Sequence, residues 1–231
     1  MADLLILSIL HLIGDFYLQP FRSGSVNGEM RFVKALFSKK RLLQAFLYTV
    51  PFLLLFGMAD PMKVLTVIAA LPLFHYALDT VSCFLRKKLN GTLVFITDQC
   101  LHAVMLFAVY TVIDFRTDVF RYEFAIKIIF SALFLSVPSA AFISELFSDL
   151  FSDTEQGKLF DVGSIIGILE RILVFIFACF EDFAAIAIII TVKTWARSSD
   201  LKDKIDFRNK YLLGTLASLV LALIPFLICK L

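Results

Sequence analysis

Residues 62–83 read MKVLTVIAALPLFHYALDTVSC, and this stretch decides the fold class. Its length falls within the roughly 17–25 mostly apolar residues that a helix needs to cross a lipid bilayer. The rest of the chain has the same character, because 60% of its 231 residues are hydrophobic and 26 are Phe, whereas ordinary soluble domains are about 45–50% apolar. The sequence therefore predicts an all-α protein, a polytopic transmembrane helix bundle.

Similar apolar stretches predict seven or eight spans in all. The predicted spans are 3–19, 42–58, 62–83, 92–113, 124–146, 162–180, 183–197 and 211–229. The first and the seventh are short and carry polar groups. Because no segment between the spans is long enough for a separate soluble domain, we expect one transmembrane domain over 1–231. Its polar site would lie in 3–113 and its C-terminal helices in 124–229.

The net charge and the cysteines limit which partners and cysteine chemistry the sequence predicts. The formal net charge is only +2, and charges near a bilayer matter by position rather than by sum. We therefore expect no nucleic-acid partner, and the lipid bilayer is the main partner. The four cysteines are scattered without a C-x-x-C pair, so we assign them neither disulfides nor metal.

The Lys and Arg residues in the short loops predict the orientation, because they are enriched on the cytoplasmic side. The loops after the first, third and seventh spans are basic, whereas the sixth is the short acidic turn Glu181-Asp182. Splitting 162–197 into a hairpin at this turn places the basic loops on one side. We therefore prefer eight spans with both termini outside.

Three of the predicted spans each carry one His and one Asp four residues apart. The pairs are His11 and Asp15, His75 and Asp79, and Asp98 and His102. Residues at this spacing lie on one helix face, one turn apart. The order is reversed on the fourth span, which runs antiparallel to the first and third. The three His are therefore expected in one layer, and the three Asp in a second layer about 6 Å nearer the cytoplasm.

These six side chains are candidate ligands of a divalent metal ion. Ionisable groups inside a membrane cost about 2.5–3.5 kcal/mol each on insertion scales and indicate function by default. Imidazole and carboxylate together suit Zn²⁺ first, and Mn²⁺, Fe²⁺ or Ni²⁺ as well, while the lack of nearby thiolates argues against a structural zinc cage. The carboxylates of Asp15, Asp79 and Asp98 are also the candidate catalytic groups.

Three other readings of the six residues stay open. They could form a proton or ion relay without a stable metal, or each Asp could accept a structural hydrogen bond from the His on its own helix. Haem ligation by two His would leave the three Asp unexplained. Some of the Asp residues could also orient His rings rather than bind the metal directly.

Further polar residues are candidates for substrate binding. Gln19 follows Asp15 by one helical turn and Gln99 is adjacent to Asp98, although capping or interfacial solvation would also explain them. In the C-terminal hairpin, Glu170 and Lys193 are equally far from the turn, which predicts an ion pair. The alternative is that the cations of this hairpin hold a phosphate or a lipid head group beside the metal. Those cations are Arg171, Lys193 and Arg197.

Five phrases of the chain resemble one family of integral membrane proteins, catalogued as domain of unknown function 3307. They are HLIGDFYLQ, FHYALDT, TDQCLH, IIGILER and YLLGTLAS. The resemblance implies a bacterial inner-membrane location and marks the six His and Asp residues, Gln19 and Gln99 as matching positions. Members often have a His where this chain has Gln44, so a fourth-histidine role is not carried over. The resemblance implies no reaction.

These residues lead to three hypotheses about function. The leading hypothesis is a membrane-bound, metal-dependent hydrolase of a lipid or phosphorylated amphiphile, in which the metal activates water and a carboxylate acts as base. The rival is a metal-ion or proton transporter with a binding station near the membrane midplane. A noncatalytic membrane protein with a structural polar site is a third reading.

Overall fold

The computed structural model describes residues 1–18, 39–115, 119–151, 162–198, 202 and 205–230. The longer helices, numbered α1–α9 in chain order, are Ala2–Leu12, Lys39–Thr49, Pro61–Leu85, Gly91–Val112, Glu123–Leu135, Val137–Leu150, Val162–Cys179, Phe183–Ala196 and Ile205–Lys230. Helix α1 continues as the π-helical segment Ile13–Tyr17, and α2 continues as the 3₁₀ segment Val50–Gly57. A short 3₁₀ turn, Val119–Tyr122, precedes α5. The described residues contain no β-strand, which confirms the all-α prediction.

Five helices are long and apolar enough to cross a membrane. They are Pro61–Leu85, Gly91–Val112, Glu123–Leu150, Val162–Cys179 and Phe207–Lys230. The helices at the second and seventh predicted spans, Arg41–Gly57 and Phe183–Ala196, are apolar but shorter. These helices confirm a membrane-spanning helical protein, and the total of seven or eight crossings stays a prediction.

The helices carry their apolar side chains outward and their ionisable side chains inward. In α3, Leu73 and Phe74 are 73% and 61% exposed, whereas His75 directly after them is fully buried. In α4, Val104 is 68% exposed while His102 is fully buried. A protein in water would reverse this pattern, whereas lipid tails solvate such an apolar surface and ionisable groups face the bundle interior.

Helix starts follow from local capping. The carboxylate Oδ1 of Asp60 accepts hydrogen bonds from the amides of Met62 and Lys63, and Pro61 occupies the first turn, where its missing N–H costs nothing. Asp182 caps α8 in the same way through the amide of Ala185. These caps place the first residues of α3 and α8.

The hairpin predicted at Glu181-Asp182 is confirmed. Helix α7 ends at Cys179 and α8 begins at Phe183. Glu181 has a φ of 58°, and the amide of Asp182 bonds back to the carbonyl of Phe177 at 2.9 Å, which is a Schellman-type helix end. Lys230 donates a hydrogen bond to Glu181 and thereby holds the pKa of that carboxyl below its usual value.

The chain divides into two compact units, Met1–Phe130 and Ser131–Leu231, and the division falls within α5. In the first unit α3 packs between α2 and α4, and α1 packs on α4. A close approach at Gly14 brings α1 and α2 together, because a Cβ there would lie 2.7 Å from the carbonyl oxygen of Tyr48. The prediction of a single domain over 1–231 stays a prediction.

The second unit packs α7 against α9, and its core contains Leu135, Val174, Phe175, Ala178, Ile186, Ala222 and Phe226. The helical path breaks at Ser136, between α5 and α6. Pro138 has no amide hydrogen for the carbonyl of Phe134, and the hydroxyl of Ser139 donates to that carbonyl instead at 2.7 Å. Side chains thus satisfy backbone groups that the break leaves without a helical partner.

Candidate metal centre

The three histidines of the chain meet inside the first unit. The ring centroids of His11 and His102 are 5.0 Å apart, and those of His75 and His102 are 5.1 Å apart. His11 is 5% exposed and the other two rings are fully buried. The structure therefore brings the three imidazoles together. The sequence predicts this from the reversed order of His and Asp on the fourth span.

His75, Asp79 and His102 form a group that could hold a metal ion. One ligand atom from each lies within 4.8 Å of the others. Nδ1 of His75 is 3.0 Å from Nε2 of His102, and Nε2 of His75 is 3.5 Å from Oδ2 of Asp79. These two contacts use opposite nitrogens of His75, and an imidazole offers only one nitrogen to an ion, so one of the contacts has to change before the three side chains can share a metal ion.

The protons of this group can be assigned from its hydrogen bonds. Nδ1 of His102 lies 2.9 Å from the backbone carbonyl of Asp98, which only accepts, so this nitrogen carries a proton. In the neutral ring Nε2 of His102 then accepts from Nδ1 of His75. A neutral His75 consequently presents the lone pair of its Nε2 to the carboxylate of Asp79. That contact favours a cation, either a metal ion or a proton.

Asp98 supports the ligand group from behind. Its carboxylate is fully buried, accepts hydrogen bonds from the hydroxyl of Ser82 and from Nε2 of Gln99, and lies 3.8 Å from Nδ1 of His102. A carboxylate and a carbonyl at the far nitrogen of a ligand imidazole fix its tautomer and its orientation. The predicted role of Asp98 as a direct ligand stays a prediction.

A second chain of hydrogen bonds joins His11 and Asp15, the two remaining predicted ligands, to this centre. The amide nitrogen of Gln99 donates to Asp15 at 3.3 Å as well as to Asp98, and its oxygen lies 3.3 Å from Nε2 of His11. Nδ1 of His11 is 3.0 Å from the hydroxyl of Tyr48. An amide oxygen only accepts hydrogen bonds, so Nε2 of His11 donates to the oxygen of Gln99. In a neutral His11 ring, Nδ1 then accepts a hydrogen bond from the hydroxyl of Tyr48. The ligand roles of His11 and Asp15 stay predictions.

Tyr48 and Ser82 belong to the site but were not among the predicted residues. The ring of Tyr48 stacks on that of His75, with centroids 3.9 Å apart and planes at 17°, and it is fully buried. Ser82 follows Asp79 by three residues, a spacing that also places two side chains on one helix face, so a search at this spacing beside the four-residue pairs would have found it. Nothing in the sequence marks Tyr48, an aromatic residue in an apolar span.

The remaining predicted residues are placed as follows. Gln19 lies outside the described residues. Arg171, Lys193 and Arg197 belong to the second unit, where Lys193 forms the predicted ion pair with Glu170. Arg171 is buried and donates from Nε to the carbonyl of Leu135 at 2.9 Å, and the guanidinium of Arg197 lies over the Phe207 ring at 5.9 Å. Their substrate-binding roles, and that of Gln99, stay predictions.

Fold and site together define a helical membrane protein with a buried His/Asp cluster. The chain belongs to the family described as protein of unknown function (DUF3307), whose model matches residues 4–131, slightly over half of the chain. The matched segment contains all six His and Asp residues and nearly coincides with the first unit, whereas IIGILER and YLLGTLAS lie beyond it. Neither a curated protein nor a solved structure matches the chain.

Proposed function

We propose that the chain is a metal-dependent hydrolase of a bacterial inner membrane, which cleaves an ester or phosphoester bond of a lipid or phosphorylated amphiphile. One observation carries the proposal: His75, Asp79 and His102 offer ligand atoms within 4.8 Å of one another inside a bundle of apolar helices. Two imidazoles and one carboxylate are a common donor set of catalytic rather than structural zinc sites.

The donor set suits a catalytic ion because three protein ligands leave a position for water. A divalent ion there, Zn²⁺ first and Mn²⁺, Fe²⁺ or Ni²⁺ as alternatives, would lower the pKa of bound water toward about 7. Asp98 would keep its supporting role behind His102. Asp15, oriented by Gln99, is the carboxylate that we propose as general base.

The exposed fractions of the three candidate ligands support the approach of a substrate to the metal centre from one side. The side chain of Asp79 is 19% exposed, whereas those of His75 and His102 are fully buried. The polar head of an amphiphile would therefore approach at Asp79, with its apolar part among the lipid-facing helices.

The test is turnover of phosphorylated and ester amphiphiles by the purified chain in detergent micelles. Asp79→Ala should keep the helical fold and lose more than about 100-fold in turnover, beyond the 10–100-fold that loss of a supporting residue costs. Asp114→Asn is the matched control, because Asp114 is an exposed carboxylate of the same unit that pairs with Lys63. Turnover that survives both chelation and Asp79→Ala would contradict the proposal.

A second candidate function rests on the direct contact between imidazoles. Nδ1 of His75 and Nε2 of His102 lie 3.0 Å apart, and His75 continues to Asp79, as in a hydrogen-bonded relay. A metal-ion or proton transporter would use such a relay. Proteoliposomes that show metal or proton flux without hydrolysis, abolished by His75→Gln, would favour the transporter over the hydrolase.

A further inference from the structure

The second unit contains a small, partly open cavity between α7, α8 and α9, which is lined mostly by apolar surface. Its volume is about 20 Å³, and its polar lining consists of Glu170, Lys193, Thr215 and Ser218. We propose that this cavity binds one water molecule, which hydrates the ion pair between Glu170 and Lys193 within the membrane-spanning helices. The proposal does not depend on the metal centre.

The volume of the cavity suits one water molecule. A cavity needs about 10–15 Å³ on this measure to hold one water, and the cavity offers about 20 Å³. The cavity therefore has room for one water molecule.

The polar groups supply the hydrogen bonds that a buried water requires, typically about three. Oγ1 of Thr215 is buried and has no hydrogen-bond partner among the described residues. The hydroxyl of Ser218 has a long contact, 3.5 Å, with Nη1 of Arg171. A water between them can accept from Thr215 or the Lys193 ammonium and donate to the Glu170 carboxylate and to Ser218.

The charges of Glu170 and Lys193 are a second reason to expect a water at this position. The side chains of Lys193 and Glu170 are only 23% and 20% exposed, and ions that lose most of their water need additional hydrogen bonds for their remaining lone pairs and protons. The water would also join the Glu170–Lys193 pair to Ser218 and Arg171. Arg171 in turn binds the carbonyl of Leu135 at the helix break. One polar network would then connect α7, α8 and α9 with the end of α5.

Hydroxyl-radical labelling tests the proposal on the full chain in detergent micelles. Radiolysis converts bound water into radicals in place, so Val174 and Leu219, which line the cavity, should be oxidised well above Phe226 in the core. Thr215→Val removes the hydroxyl at nearly constant volume and should reduce their oxidation to the level of Phe226. Thr215→Ser keeps the hydroxyl and should keep the labelling.

Thr191→Val is the matched control, because Thr191 is exposed on α8 and its hydroxyl bonds only to the carbonyl of Ala187 among the described residues. It should leave the labelling of Val174 unchanged. Equal labelling in Thr215→Val and the parent chain would overturn the proposal. So would one bromide bound per chain after exchange into bromide buffer, because the ligand would then be a small anion.

Discussion

At the scale of single residues, the candidate centre combines side chains that the sequence marks and side chains that it does not. His11, His75 and His102 are conspicuous because ionisable residues are rare in apolar spans. Tyr48 is not, because its contacts with His75 and His11 come from another helix and only the packed structure reveals them. Spacing along one helix predicts which residues share a face, and it cannot predict which faces meet.

Tyr48 should hold His75 in position by stacking more than by its hydroxyl. Tyr48→Phe keeps the ring and loses the bond to His11, so we expect less than about a tenfold loss in metal affinity. Tyr48→Leu removes the stacked ring, and a loss of about 10–100-fold is expected, as for other supporting residues of metal sites. Competition with a chelating dye measures both. Tyr110→Leu, a change at a surface tyrosine of α4, should have no effect, and equal affinities for all variants would refute this role.

Gly14 should be intolerant of any side chain. A Cβ at this position would lie 2.7 Å from the carbonyl oxygen and 3.0 Å from Cδ2 of Tyr48. Gly14→Ala must therefore push α1 away from α2 and should lower stability by about 1–3 kcal/mol, as overpacking does. Thermal unfolding in detergent, followed by circular dichroism, measures the change. Gly57→Ala is the control, because a Cβ at Gly57 meets no atom within 4 Å.

At the scale of the helices, the predicted helix positions rest on the lengths of the apolar segments and on the residues at the turns. The helix positions and the hairpin at Glu181-Asp182 agree with the structure, because both depend on local sequence. The break at Ser136 inside the predicted span 124–146 was missed. At this break the guanidinium of Arg171, on α7, donates to the carbonyl of Leu135, a contact between helices that the local sequence pattern does not reveal.

Arg171 should therefore stabilise the helix break. Arg171→Leu leaves the buried carbonyl of Leu135 without its donor, which should cost about 1–3 kcal/mol. Removal of a buried charge acts in the opposite direction, so a net loss of stability would identify the carbonyl contact as the dominant effect. Arg197→Leu is the control at an exposed position and should stay within about 0.5 kcal/mol. An Arg171→Leu protein as stable as the parent would contradict this role.

At the scale of the whole molecule, the polarity of the surface and the extent of the family match point to the same part of the chain. The helices expose Leu73, Phe74 and Val104 and bury the imidazoles, as expected in a bilayer. The family match ends within a residue of the first unit, and all six His and Asp residues lie inside it. The sequence thus predicted the class of protein and the location of its polar site. It did not separate candidate ligands from candidate supporting residues, because that distinction depends on distances between helices.

The proposed hydrolase function depends on a divalent metal ion held by His75, Asp79 and His102. Elemental analysis of the purified, detergent-solubilised chain tests it most directly, with a His102→Ala variant and the Asp114→Asn control prepared in parallel. We expect about one divalent ion per chain in the parent and in the control, and almost none in His102→Ala. A folded parent chain without stoichiometric metal, or equal metal content in His102→Ala, would contradict it.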